Sequence, residues 1–306
     1  MKTKVVSGLT TTQAPFIEEA RHRGELFIRQ PYELYSKDNQ SAWEQLYRLL
    51  IPKWEKYANE KFLEGLRLLS IDQHHIPRLE DINRALQPLT GFQAKAVCGY
   101  VPTYLFFDSL RKREFPTTIT IRDSKKLEYL PEPDIFHDVG GHVPMHTDPV
   151  FANVLVRFGE LNRMALERHA QIKDKAERVA KVKSIIYALS RLFWFSIEFG
   201  LIRQHNQLKV YGSGIMSSAG EIVHSVESPE VQRFPFQLDW IINQSFEIHH
   251  YQPLLFVIDS FEQLYEEMDR TEKWLREGKL DNVAPGIPAL TDEEIIHVID
   301  DFEQMR

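Results

Sequence analysis

The stretch LPEPDIFHDVGGHVPMHTDPVFA, Leu130–Ala152, sets His137, His142 and His146 among acidic residues and around the pair Gly140-Gly141. With twelve histidines in 306 residues, a pair five apart is an ordinary chance event, so spacing alone assigns no site. On a regular α-helix five residues advance about 500°, leaving two side chains roughly 140° apart around the axis. His137 and His142 therefore converge only if the helix loosens between them. Gly140 and Gly141 fall in that gap, where left-handed or tightened backbone is readily adopted, and Pro144 stops a regular continuation. His142 and His146 have helical i, i+4 spacing, but Pro144 lies between them and disrupts that turn.

An acid downstream is a candidate third ligand. In IIYALSRLFWFSIEFGLI, Ile185–Ile202, apolar residues occupy nearly every helical face, as in a buried helix, with Glu198 among them. A carboxylate in such surroundings is costly unless paired, protonated or metal-bound. An ion pair with Arg191 or Arg203, or a helix end reaching solvent, would satisfy it. So would a metal: two neutral imidazoles and one carboxylate form the facial triad that leaves positions open for dioxygen on non-haem Fe(II). A zinc hydrolase remains an alternative, with Asp138 as a nearby acid, although no HExxH pattern is present.

The whole chain bounds these readings. It has 43% hydrophobic residues, enough to bury a full core, and a formal charge of -7 without a basic block, which argues against nucleic acid as a partner. Cys98 is the single cysteine, so disulfide frameworks and thiolate metal sites are excluded and a reducing, cytoplasmic compartment fits. No run approaches the roughly 18 apolar residues of a membrane span. Residues 41–69 read as amphipathic helices broken at Pro52, and residues 78–91 as a helix stopped by Pro88 and Gly91. PTYLFFDSLRKREF, from Pro102, is a further helix; a long helical pattern spans Lys173 to about Arg203, and TDEEIIHVIDDF from Thr291 closes the chain. Strand candidates are TTITI from Thr117, LKVYG from Leu208 and LLFVI from Leu254. The expected class is mainly α with minor β, in a single domain.

PEPDIFHDVGGHVPM (from Pro131), FWFSIEFGL (from Phe193) and VYGSGIMSSAGE (from Val210), in this order, resemble the pterin-dependent aromatic amino acid hydroxylases, especially the bacterial phenylalanine 4-hydroxylases. The similarity runs from about Ser41 to Met268. It implies a helix-rich catalytic domain over residues 41–306 behind an N-terminal extension, 1–40; the chain looks like that domain without the regulatory and tetramerisation segments of the animal enzymes, and a monomer is expected. The resemblance implies Fe(II) on His137, His142 and Glu198, and a tetrahydropterin such as tetrahydrobiopterin stacked on Phe106. Gly99, Val101 and Thr103 would line the pterin cleft, Asp138 would face the pterin through water, and Phe193 would lie near iron and pterin. Arg122 would clamp the substrate carboxylate, Ser217 would bond the amino-acid backbone, and Trp194 and Val257 would wall the ring pocket.

From the residues alone, Phe106 also reads as core and Arg122 as a surface charge, while Ser218 and Glu221 form a helix capping box. Three positions depart from the family: Gly140 replaces a bulkier apolar residue, which predicts a void or a looser metal loop; Phe193 replaces a common tyrosine; and Leu130 replaces a threonine of animal members. The implied reaction is hydroxylation of L-phenylalanine to L-tyrosine with O2. Tryptophan or tyrosine hydroxylation, zinc hydrolysis and a non-catalytic helical interaction protein are the competing functions. The partners expected are small molecules, with neither nucleic acid nor membrane.

Overall fold

A computed structural model of the chain describes residues 9–10, 22, 25–97, 99, 101–127 and 133–305. Helix α1 (Lys37–Tyr57) starts at a capping box in which Ser36 and Asn39 satisfy each other's backbone N–H groups. It buries Trp43, Leu46, Leu50 and Trp54 along one face and runs through Pro52, where the sequence predicts a break. Burial on both sides of Pro52 offsets the roughly 3 kcal/mol that an interior proline costs. The break comes later, at Asn59, whose side chain accepts the Phe62 N–H and opens α2 (Glu60–Leu68). Helix α3 (Leu79–Thr90) likewise passes Pro88 and stops at Gly91, in the left-handed conformation that glycine favours at a helix end.

Next comes a β–α–β crossover. Strands β1 (Gln93–Val97) and β2 (Glu114–Thr118) pair in parallel, Gln93 opposite Glu114 and Val97 opposite Thr118, with α4 (Thr103–Arg111) between them in the chain. The strand expected from Thr117 thus begins three positions earlier and ends at Thr118. Beyond it the backbone finds loop partners: Tyr35 Oη donates to Ile119 O, Ile135 N to Thr120 O and Ile121 N to Leu9 O. Those bonds also tie residues before position 41 to the domain, and Phe27 bridges Val97.

The histidine segment follows as a π-helix, Phe136–His142, and a 3-10 turn, Val143–Thr147. Helices α5 (Pro149–His169) and α6 (Lys175–Phe193) lead into a second π-helical turn, Trp194–Glu198. The long helical pattern therefore ends early, and Arg203 lies in β3 (Leu201–Gln204). A mixed sheet, in the order β4 (Gln207–Val210), β3, β6 (Leu254–Ile258), β5 (Gln232–Pro235), includes the expected LLFVI strand at its stated bounds. Short helices α7 (Ser213–Met216), α8 (Glu221–Glu227) and α9 (Leu238–Ile241) and the longer α10 (Phe261–Glu277) and α11 (Asp292–Gln304) complete the chain. The class is mainly α with minor β, as expected. One large core is joined by a smaller cluster in which α11 (Ile295, Ile299, Phe302) packs on Tyr104 of α4 and Val182 of α6. No described helix is long and apolar enough to cross a membrane.

Candidate active site

Backbone bonds of a π-helix run from i to i+5, so side chains five apart come to lie nearly one above the other. His137 and His142 occupy such positions, and their Nε2 atoms stand 3.1 Å apart. The helix widens rather than tightens, and neither Gly140 nor Gly141 takes a positive φ. Gly141 is required for another reason: a Cβ there would lie 2.9 Å from the backbone oxygen of Ser213. At Gly140 a Cβ would meet the Phe136 ring at an ordinary 3.5 Å, so a side chain could begin there without crowding.

Glu198 enters from the second π-helical turn. Its Oε1 lies 3.1 Å from His142 Nε2 and its Oε2 3.7 Å from His137 Nε2. Neither arginine pairs with it: Arg191 donates to the carbonyls of Ile242 and Ala284, and Arg203 faces Asp259. Ser213 Oγ stands 2.9 Å from His142 Nε2 and 3.0 Å from Glu198 Oε2. Burial works to raise the Glu198 carboxyl, but His142, His137 and the Ser213 hydroxyl outweigh it and hold the group down at about 2. Burial lowers His137 to about 4, which keeps it a neutral donor. Two lone-pair nitrogens and an ionised carboxylate directed at one point make a donor set that suits a divalent cation.

The tautomer of His137 is set from behind. Ser217 Oγ donates to Ser213 O at 2.9 Å and therefore accepts from His137 Nδ1–H at 2.8 Å, which directs Nε2 toward Glu198. The Ser217 hydroxyl, read from sequence as a contact for the amino-acid backbone, is thus occupied by His137. A second carboxylate, Asp138, also lies close to both imidazoles. Its Oδ2 accepts Thr118 N–H at 2.6 Å, tying it to β2, and burial pushes it up to about 7. Glu198, at hydrogen-bond distance from His142, is the better third donor.

The β1–α4–β2 crossover carries four of the six candidate pterin residues, with Asp138 on the first π-helix and Phe193 at the end of α6. Gly99 has φ 118°, a conformation reserved for glycine, and Val101 and Thr103 are half-buried at the start of α4. Phe106 is half-buried against the core and meets Phe193 and Phe115 edge to face at 5.7 and 6.2 Å. Phe115 in turn lies 4.9 Å from the His142 ring, so an aromatic path joins the crossover to the histidines.

Among the substrate candidates, Arg122 is buried, contrary to its plain reading as a surface charge. Its Nε and Nη2 donate to Asp134 Oδ2 and Oδ1 at 2.7 and 3.0 Å. Asp134 also accepts the backbone N–H of His137, which links Arg122 to the histidine segment. Sequence reasoning missed Asp134; the one local signal was an acid three residues before His137, and the arginine that pairs with it is brought near only by the fold. Trp194 stacks on Phe246 at 4.1 Å, and its Nε1–H reaches Gln252 Oε1. Val257 is buried in β6 opposite Leu201. The predicted capping box is half made: Ser218 Oγ accepts Glu221 N–H, but the Glu221 carboxylate turns to Gln252 N–H. Leu130 lies outside the described residues.

The description of the biopterin-dependent aromatic amino acid hydroxylases matches residues 27–278. This chain belongs to that family. As a hydroxylase of this family it is 36% identical over 239 residues to phenylalanine-4-hydroxylase of Chromobacterium violaceum, covering 78% of this chain and 75% of the relative. It is 38% identical over 239 residues to the enzyme of that name from Caulobacter vibrioides, covering 78% and 76%. Its fold superimposes with a TM-score of 0.73 and 34% identity on the Chromobacterium violaceum enzyme crystallised with iron(III) and oxidised 7,8-dihydrobiopterin, covering 85% of this chain and 89% of that one. Helix α11 lies beyond the matched segment of the hydroxylase.

Proposed function

We propose that this hydroxylase converts L-phenylalanine to L-tyrosine with O2, using Fe(II) held by His137, His142 and Glu198 and tetrahydrobiopterin or a related tetrahydropterin. The observation that carries the reading is the convergence of His137 Nε2, His142 Nε2 and the Glu198 carboxylate. When bound, iron and pterin together supply the oxygen activation that no side chain can provide. The chain's own part is placement and exclusion of water. Ser217 fixes His137 through its Nδ1–H, and Asp134 orients both Arg122 and the backbone of His137. Arg122 then meets the substrate carboxylate, while Phe106, with Gly99, Val101 and Thr103 beside it, receives the pterin, and Asp138 and Phe193 complete that wall.

The preference for phenylalanine follows from Trp194 and Val257. Trp194, held between Phe246 and Gln252, forms a bulky wall against an indole. Val257 offers no partner to a phenolic hydroxyl, whose desolvation costs about 1–3 kcal/mol, or roughly five- to over a hundredfold. The enzyme is read as a cytoplasmic monomer; its single cysteine supports the compartment, and sedimentation checks the monomer.

The test is product analysis of Fe(II)-loaded protein with tetrahydrobiopterin, oxygen and each aromatic amino acid. Tyrosine from phenylalanine, dependent on both iron and pterin, is expected. Faster turnover of tryptophan or tyrosine at subsaturating concentration overturns the substrate assignment alone. Hydrolytic activity of a zinc form with no pterin requirement overturns the reaction class.

A further inference from the structure

His146 is the histidine of the Leu130–Ala152 segment that the proposed chemistry leaves unused. It is fully buried, in the 3-10 turn after His142, inside a box formed by Phe92, Phe115 and Phe151 at ring distances of 5.2, 4.7 and 6.5 Å. A leucine or phenylalanine would fill such a box without a polar atom. Neither ring nitrogen of His146 has a hydrogen-bond partner among the described residues, a condition that costs about 1–3 kcal/mol for a buried polar group.

A second orphan lies beside it. His142 Nδ1 is also buried without a partner among the described residues, and the two ring centroids are 6.3 Å apart. His142 directs its Nε2 at His137 and Glu198. A metal bound there leaves the imidazole proton on Nδ1, which then needs an acceptor. For His137 that acceptor is Ser217; for His142 a candidate is the neighbouring His146, whose own ring nitrogens lack partners among the described residues. Ring nitrogens facing each other across this separation stand about 4 Å apart or more, too far for a direct bond and within the span of one bridging water. Phe115 lies against both rings.

We propose that His146 is a positioning residue: through one bridging water its imidazole accepts the Nδ1–H of His142 and fixes the direction from which Nε2 meets the metal. The proposal rests on the reading of His142 as an iron ligand. It predicts two effects that a merely structural histidine would not combine. His146→Leu removes the buried orphan nitrogens, so the metal-free protein keeps or gains thermal stability, while its affinity for Co(II), titrated anaerobically as a spectroscopic stand-in for Fe(II), falls by roughly 10- to 100-fold. His146→Gln restores an acceptor and recovers part of that loss.

A His146→Leu protein that binds Co(II) within about twofold of the parent overturns the proposal and leaves His146 a core residue. Should that variant fail to fold, histidine nitrogen NMR of the parent decides: Zn(II) loading should lock His146 in one tautomer with an accepting nitrogen, and a His146 signal unchanged by zinc is the contrary result. Glu198→Ala keeps the two readings apart. If it loses the metal while His146→Leu does not, only the present proposal fails; if it retains the metal in full, the ligand assignment itself fails.

Discussion

Replacing Arg122 by Met separates a fold-supporting ion pair from a substrate clamp, because the structure gives the guanidinium the first task and the proposed function gives it the second. Arg122 and Asp134 are each 3% exposed and share two side-chain bonds, at 2.7 and 3.0 Å. Burial opposes the charge on Asp134, but Arg122 and the N–H groups of His137 and Arg122 outweigh it and hold the carboxyl below its ordinary 3.8. The pair's contribution is therefore present above that ordinary value and is lost as pH falls through the lowered one. Methionine keeps most of the side-chain volume but strands the carboxylate, which costs about 3–5 kcal/mol for a broken buried pair. Adding Asp134→Asn removes the stranded charge and should return more than half of that loss. Substrate binding should not return with it. Loss of a charge-assisted bidentate contact amounts to about 1.5–3 kcal/mol, a roughly ten- to over a hundredfold rise in the KM for phenylalanine with little change for pterin. Denaturant unfolding and steady-state kinetics on both variants give the two numbers. A double variant that regains parental phenylalanine KM refutes the clamp, and one in which pterin affinity falls instead assigns Arg122 to the other cleft.

Phe106→Ala should weaken binding of 7,8-dihydrobiopterin by about 0.5–1.5 kcal/mol beyond its loss of burial, measured by calorimetry; an unchanged constant returns Phe106 to the core. Trp194→Phe should raise tryptophan hydroxylation relative to phenylalanine, and Val257→Asp should raise tyrosine hydroxylation at some cost in thermal stability; product ratios under competition that do not move would remove both from the ring pocket. Glu221, pushed up to about 7 by burial, is protonated in the fold where the unfolded chain ionises near 4.5. Its contribution to stability is complete below about 4.5 and is lost as pH rises through about 7, a swing of roughly 3 kcal/mol that Glu221→Gln should abolish in unfolding measured across that range. Parallel pH profiles for parent and variant would contradict the burial argument.

The sequence by itself determined the helical class, the candidate triad and the family resemblance. His137, His142 and Glu198 were legible because each broke a local rule: two histidines at a spacing that a regular helix separates, and an acid inside an apolar run. Those rules depend on short-range periodicity and on burial, which a chain displays without its partners. What resolved the first oddity was legible only as a need for irregular backbone. The structure met that need by widening the helix to i, i+5 bonding, where tightening or a left-handed glycine would have served as well on paper. Pro52 and Pro88 show the converse, since local chemistry predicted breaks that packing on either side overrode. Strand β2 stopped at Thr118 because Ile119–Ile121 found partners in Tyr35, Ile135 and Leu9, at sequence distances that no local pattern encodes. The pairing of Arg122 with Asp134, the occupation of the Ser217 hydroxyl by His137 and the orphaned nitrogens beside His142 belong to the same class. Which buried polar atom meets which is fixed by the path of the chain in three dimensions, because every such atom must find some partner and the sequence does not say which one the fold will bring near.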